Sequence, residues 1–195
     1  AVVNSSQFMV CPYCGFSEVS SDFSKQKIKT HNAPNGRKCL NETFTRKSIG
    51  HTFKTDVTTL SVNNYLSWEQ AYSILYAMLE GLSKAFSIER NDVDGTIDYI
   101  YSRTGNSSTR FILFDTVPGG AGHVRRLGKA TEEEILDVFK VSYDLVKNCH
   151  CDENTACYSC LQNYRNQGMH DSLERKFAVD FFDRVFYDYE KICSI

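Results

Sequence analysis

Proline is scarce in this chain, 3 residues among 195, and nothing in it is repeated or of low complexity. No apolar run approaches the ~20 residues that a membrane-spanning helix needs, which excludes a membrane partner of that kind. No glycine-rich loop ends in Lys-Ser or Lys-Thr in the manner of a phosphate-binding P-loop, so a nucleotide-driven motor is not expected in these residues. The first residues, Ala1-Val2-Val3-Asn4-Ser5-Ser6, carry neither an initiator methionine nor a signal-peptide pattern. The chain therefore reads as a piece of a longer polypeptide. What remains, 42% hydrophobic and 24% charged, is the composition of a globular chain long enough for one core with a small satellite.

Charge is unevenly spread. Between Lys25 and Lys54 stand Lys25, Lys27, Lys29, Arg37, Lys38, Arg46, Lys47 and Lys54 against the single acid Glu42, a local +7 in a chain of net −2. Such a patch on an acidic body is either a surface facing phosphates or a solvated loop face. The 8 cysteines also allow two readings. Three formal glycosylation sequons, at Asn4, Asn41 and Asn106, would suit a secreted disulfide framework. Disulfide scaffolds are usually small chains unable to build a core, and here the cysteines fall in tight clusters. Metal binding in a reducing cytoplasm is the favoured reading.

The expected fold is α+β: a mixed or antiparallel small sheet packed with helices, preceded by a zinc-ribbon-like unit. Residues 8–50 are polar, loop-rich and bracketed by cysteines; residues 51–195 form the α/β domain. Alternation at Phe53, Thr55 and Val57 suggests a strand from His51 to Val62. Ser67 and Gln70 have capping-box spacing and open a broadly apolar helix through Phe86, expected to be largely buried. Ile97, Tyr99 and Tyr101 alternate in a strand. The turn Thr104-Gly105-Asn106-Ser107 leads into another strand, Arg110–Val117, forming a hairpin. A short helix follows at His123–Leu127. Thr131 and Glu134 cap a helix reaching Asn148. A last helix starts near Asp171 with Leu173, Phe177, Phe181, Val185 and Tyr189 on one side.

Cys149, Cys151, Cys157 and Cys160 have C-x-C-x5-C-x2-C spacing, two close pairs separated by a short loop, which suits the four corners of a zinc site. Four thiolates leave no position for water, so the site is structural and its binding energy acts as folding energy. An iron–sulfur cluster is also compatible with four cysteines. His150 reads as a solvent-facing passenger. Cys11-Pro12-Tyr13-Cys14-Gly15 has the form of a zinc knuckle, with Cys39 as the third ligand of a second zinc and His31, or in competition His51, as the fourth. Cys193 belongs to neither group and reads as a small hydrophobe.

Strand, glycines and helix follow one another from Phe114 to His123. The backbone N–H groups of Gly119, Gly120 and Gly122 can hold an anion at the helix start, with Arg125 and Arg126 facing a phosphate. A tight turn that lets the backbone pass close to its neighbours is the favoured alternative. His123 and Asp115 could serve a cysteine nucleophile, but every clustered cysteine is better explained as a ligand, so no catalysis is expected.

The order Phe-Asp-Thr-Val-Pro-Gly-Gly-Ala-Gly-His at 114–123, a helix, the cysteine cluster, then Cys160-Leu161-Gln162-Asn163-Tyr164-Arg165-Asn166-Gln167, His170, Leu173 and Arg175 resembles the MrfA-type zinc-binding domain. That domain lies near the C-terminus of bacterial DNA-repair helicases. The upstream part, with Cys11, Cys14, His31, Cys39 and Gly50-His51-Thr52-Phe53-Lys54-Thr55-Asp56-Val57, looks like relatives in phage-defence systems such as DISARM DrmB. The resemblance implies zinc on Cys149, Cys151, Cys157 and Cys160, and a domain that assists a superfamily 2 helicase on DNA. ATP hydrolysis does not carry over; the motor would lie in the same polypeptide or in a partner chain. A pure protein–protein adaptor is the alternative function, and a nuclease or peptidase using His123 the remotest.

Overall fold

A computed structural model describes residues 2–3, 7–20, 30–48, 50–101 and 107–193. The chain divides into two compact units, Ala1–Phe53 and Lys54–Ile195. The first is made of short strands: β1 (Val2–Val3), β2 (Gln7–Val10), β3 (Ser17–Ser20), β4 (His31–Asn32), β5 (Lys38–Cys39), β6 (Thr45–Lys47) and β7 (Gly50–His51). β2 is the centre of a three-stranded antiparallel sheet with β3 and β6, while β4 pairs with β5 and β1 with β7.

The second unit begins with β8 (Val57–Val62) and α1 (Trp68–Ala85), continues through a 3-10 turn at Arg90–Asp92 into β9 (Val93–Tyr101) and β10 (Ser107–Asp115), then α2 (His123–Gly128) and α3 (Glu132–Lys147). A 3-10 segment at Tyr164–Ser172 leads to α4 (Arg175–Cys193). The sheet has the order β8-β10-β9 and is antiparallel throughout, with Phe111 opposite Leu60 on one side and Ile97 on the other. The strand alternation of β10 buries Thr109, Phe111, Leu113 and Asp115. Both polar members of that row are satisfied: the Thr109 hydroxyl donates to Asn64 O (3.0 Å) and accepts from Leu66 N–H (3.0 Å), and Asp115 binds the glycine turn described below.

The helices form where the sequence caps them. Ser67 with Gln70, and Thr131 with Glu134, each make the reciprocal capping box, satisfying two otherwise orphaned N–H groups per helix. α1 buries Ala71, Ile74, Leu75, Met78, Leu79 and Leu82, as its broad apolar pattern requires. It crosses α3 so closely that a Cβ on Gly81 would stand 1.9 Å from Ser142 Oγ; only glycine fits. Ser142 is fully buried and donates to Val138 O at 2.7 Å, so its hydroxyl is not orphaned.

Three expectations need correction. The strand expected from His51 is two elements, β7 in the first unit and β8 in the second, with 52–56 outside both. Those intervening groups hold the glycine turn instead: Lys54 O accepts from Gly119 N–H at 2.8 Å, and the Thr55 hydroxyl donates to Asp115 O at 2.7 Å. β10 likewise ends at Asp115 rather than Val117. The last helix begins at Arg175, because Asn163 and Asn166 form a capping box that sets a 3-10 segment first. Its fully buried side chains are Ala178 and Phe182, one position on from the expected Phe177 and Phe181. Residues Thr104, Gly105 and Asn106 of the expected hairpin turn lie outside the described residues, as does the side chain of Cys193.

Candidate metal centres

The N-terminal cluster gathers Cys11, Cys14, His31 and Cys39. The knuckle is closed by Gly15 N–H donating to Cys11 O (2.9 Å), with Gly15 at φ 78°, a conformation that favours glycine. Antiparallel register places His31 opposite Cys39, so the β4–β5 hairpin delivers two donors to one point. Cys11 Sγ lies 3.9 Å from Cys39 Sγ, and His31 Nε2 lies 3.2 Å from Cys14 Sγ. The His31 ring is buried between Phe16 and Phe44, with centroids 5.0 and 5.1 Å away. Asn41 Nδ2 donates to Cys11 Sγ at 3.3 Å. Desolvation works against ionising Cys11, yet hydrogen bonds from the knuckle backbone and Asn41 hold its thiol down at about 6. The side chain of the competing ligand, His51, lies outside the described residues.

The C-terminal cluster follows α3 directly. Cys149 Sγ stands 3.5 Å from both Cys151 and Cys157, Cys160 Sγ stands 3.8 Å from Cys151 and 3.9 Å from Cys157. Cys157 N–H donates to Cys160 Sγ and Ser159 N–H to Cys157 Sγ. Arg175 clamps the loop to the first turn of α4, donating to Val146 O at 3.1 Å and to Cys151 O at 3.0 Å. Burial pushes the Cys160 thiol up, and its thiolate neighbours push the same way. For Cys157 burial opposes ionisation, but the Ser159 N–H and the adjoining thiols bring it down to about 7. Closely packed thiols that resist joint ionisation call for a cation among them. His150 is solvent-exposed, as expected of a passenger.

Donor spacing tests the fit. A zinc–sulfur bond of about 2.3 Å puts tetrahedral sulfurs about 3.8 Å apart, whereas a disulfide needs about 2.05 Å. The distances above match the first figure, and all seven cysteines in the two clusters are free. In each cluster the four ligand atoms lie within 4.8 Å of one another, room for one ion and not for a multi-iron cluster with its bridging sulfides. Both donor sets suit zinc.

The glycine turn is not an open anion site. Asp115, fully buried, fills it from within: its Oδ2 accepts from Ala121, Gly122 and His123 N–H at 2.7, 2.6 and 3.2 Å, and its Oδ1 accepts from Val124 N–H at 3.0 Å. Gly119 N–H is spent on Lys54 O and Gly120 N–H on Val117 O. Of the two readings, the phosphate contact through Gly119, Gly120 and Gly122 is corrected, because a protein carboxylate already occupies the place of the anion, and the turn is the tight, inward-facing one that was favoured. Arg125 pairs with Asp56 at 2.6 Å, and the Arg126 guanidinium lies over the Phe86 ring at 3.9 Å. The His123 ring faces Asp92 at 3.8 Å; only its backbone N–H reaches Asp115, so these two do not form a catalytic pair. Sequence reasoning weighed Asp115 for catalysis and missed this role, though an acid with three residues between it and the run Gly119-Gly120-Ala121-Gly122 was a signal.

Of the expected basic contacts, Arg37 and Lys38 are exposed beside Cys39. Lys25, Lys27 and Lys29 lie outside the described residues.

Residues 74–161 match the family model of the MrfA Zn-binding domain, so the resemblance expected from the motifs is borne out over that stretch. It contains the glycine turn and the C-terminal cluster. The chain is 26% identical over 216 aligned residues to Druantia protein DruE of Escherichia coli strain UMEA 4076-1, covering 97% of this chain and 11% of that protein. Crystal structures of the DUF1998 helicase MrfA bound to DNA, and bound to DNA and AMPPNP, are each 17% identical over 77% of this chain and 18% of theirs, with TM-scores of 0.47 and 0.44. The chain thus spans a small fraction of the proteins it matches. Among the described residues no helix is long and apolar enough to cross a membrane.

Proposed function

We propose that this chain is a non-catalytic, zinc-braced module of a larger helicase-type or defence protein, acting in the cytoplasm. In this reading one zinc is held by Cys149, Cys151, Cys157 and Cys160, a second by Cys11, Cys14, His31 and Cys39. The module contacts DNA or docks a motor that sits on the same polypeptide or on a partner, and the boundary between its parts falls near residue 50. The carrying observation is the C-terminal four-cysteine set at tetrahedral spacing within the residues that match the MrfA Zn-binding domain. Four thiolates leave no vacant coordination position, so the metal braces and does not react. Seven reduced cysteines suit a reducing compartment.

Metal analysis of the chain purified with zinc should return two ions. Cys160→Ser should lose one of them and destabilise the second unit, and full retention of both ions would sink the assignment. For the DNA arm, neutralising Lys25, Lys27, Lys29, Arg37 and Lys38 together should weaken salt-dependent binding. Unchanged affinity would remove that patch from the reading. The adaptor alternative draws on the exposed aromatics Tyr65, Trp68 and Tyr101 in the second unit, which suit a protein partner.

A further inference from the structure

Tyr13 is the residue between the two knuckle cysteines on which the first unit spends a large apolar side chain without burying it: 87% of it is exposed. A lone exposed aromatic is ordinary on a protein surface. This one borders a groove whose other walls include Asn35, Arg37 and Lys38 and, among the described residues, no carboxylate. Among the described residues neither the Arg37 nor the Lys38 side chain has an ionic partner, unlike Arg90, Arg110 and Arg125 of the second unit, which are paired with acids. Their backbone is fixed: Ala33 N–H donates to Arg37 O and Gly36 N–H to Ala33 O, both at 2.8 Å, and Arg37 N–H donates to Asn35 Oδ1 at 3.1 Å. Tyr13 is held as firmly, since the turn that carries it is closed at both ends, Cys11 N–H to Phe16 O and Gly15 N–H to Cys11 O.

A π face, two unpaired cations and an amide in one open groove are the parts of a stacking platform for unpaired bases and their phosphates. Duplex DNA would offer the cations its backbone but leave the ring nothing to stack on. We infer that the groove of Tyr13, Asn35, Arg37 and Lys38 binds single-stranded nucleic acid, one base stacked on the Tyr13 ring and the adjoining phosphates on Arg37 and Lys38. This rests on the DNA arm of the proposed function and names its substrate as an unpaired strand. The ring stands on the knuckle itself, so the metal cluster serves as the rigid base of the platform.

The test is fluorescence anisotropy of a labelled oligo-thymidylate with the zinc-loaded 195-residue chain, repeated over a range of salt. Tyr13→Ala should bind about tenfold more weakly, and Tyr13→Phe, which keeps the ring, should stay within about twofold. Replacing Arg37 and Lys38 together by Gln should lower the slope of log affinity against log salt by about 1.4, the value for two phosphates of a single strand. Metal content measured in each variant shows that the knuckle is intact. Binding that survives Tyr13→Ala undiminished overturns the platform while leaving a DNA contact elsewhere in the chain. Displacement of the oligonucleotide by polyglutamate at matched charge overturns it in favour of an acidic protein partner. A zinc-loaded chain that binds no oligonucleotide overturns both the platform and the DNA arm, and the adaptor reading remains.

Discussion

Replacing Asp115 probes the glycine turn directly. Its two oxygens accept four backbone hydrogen bonds, two of them at 2.7 Å or less. Hydrogen bonds to a charged group are worth about 1.5–3 kcal/mol each, but they are not additive here and the carboxylate's own desolvation opposes them. Asp115→Ala removes charge and acceptor together. Water can reach exposed Ala121 but not the buried Val124 N–H, so the loss should be about 3–5 kcal/mol, a large share of a domain's whole stability. Asp115→Asn keeps one acceptor but turns an amide NH2 toward donors, and should lose about 2–4 kcal/mol. Urea unfolding with zinc in excess reads this as a midpoint lowered by about 1–2 M. The same argument gives a second readout. With the carboxylate gone the turn is an empty anion site, so inorganic phosphate should raise the midpoint of Asp115→Ala and leave the wild type unmoved. An Asn variant within about 0.5 kcal/mol of wild type, or phosphate stabilising both proteins equally, would refute the reasoning.

Gly81→Ala should destabilise by about 2 kcal/mol in thermal unfolding, overpacking outweighing the ~1 kcal/mol gain in helix propensity. Ser142→Gly should rescue it only in part, because the new Cβ would still meet the Ser142 Cα at 2.8 Å; full rescue would contradict the close crossing. Arg175→Ala removes both clamps on the cysteine loop and should cost about 2–3 kcal/mol, and chelator competition should show zinc leaving the second unit more readily, with the first unit's zinc unaffected. An Arg175→Ala protein with wild-type stability and zinc retention would show that the guanidinium adds nothing to the metal and to the backbone bonds from Arg175 N–H to Thr155 O and from Lys176 N–H to Glu153 O.

What was legible in the sequence was short-range. Ser67 with Gln70 and Thr131 with Glu134 are three-residue patterns whose physics is complete within one helical turn, and both helices start where those patterns put them. Cysteine spacing is local within each close pair and across 149–160, and both groups of donors come together as expected, although Cys11 and Cys39 are 28 residues apart. The strand expected from His51 failed through partners distant in the chain. Residues 52–56 alternate like a strand, but their backbone and hydroxyl groups are drawn to the turn some 60 residues later. The glycine run looks like an open anion site until Asp115, one strand-end away, is seen inside it. The buried face of α4 is set by its packing on α1 and α3, where Phe182 meets Phe139, neighbours that the helix's own periodicity does not name.

Cys160 and Leu161 are neighbours, 2% and 0% exposed, so the C-terminal cysteine cluster and the apolar interior of the second unit share a wall with no linker between them. A ribosome delivers the sheet and α1 well before that wall exists. In a cell starved of metal the newly made polypeptide would keep Leu161 and Leu173 open to chaperones and proteases, and its abundance would follow metal supply after synthesis, whatever its rate of transcription.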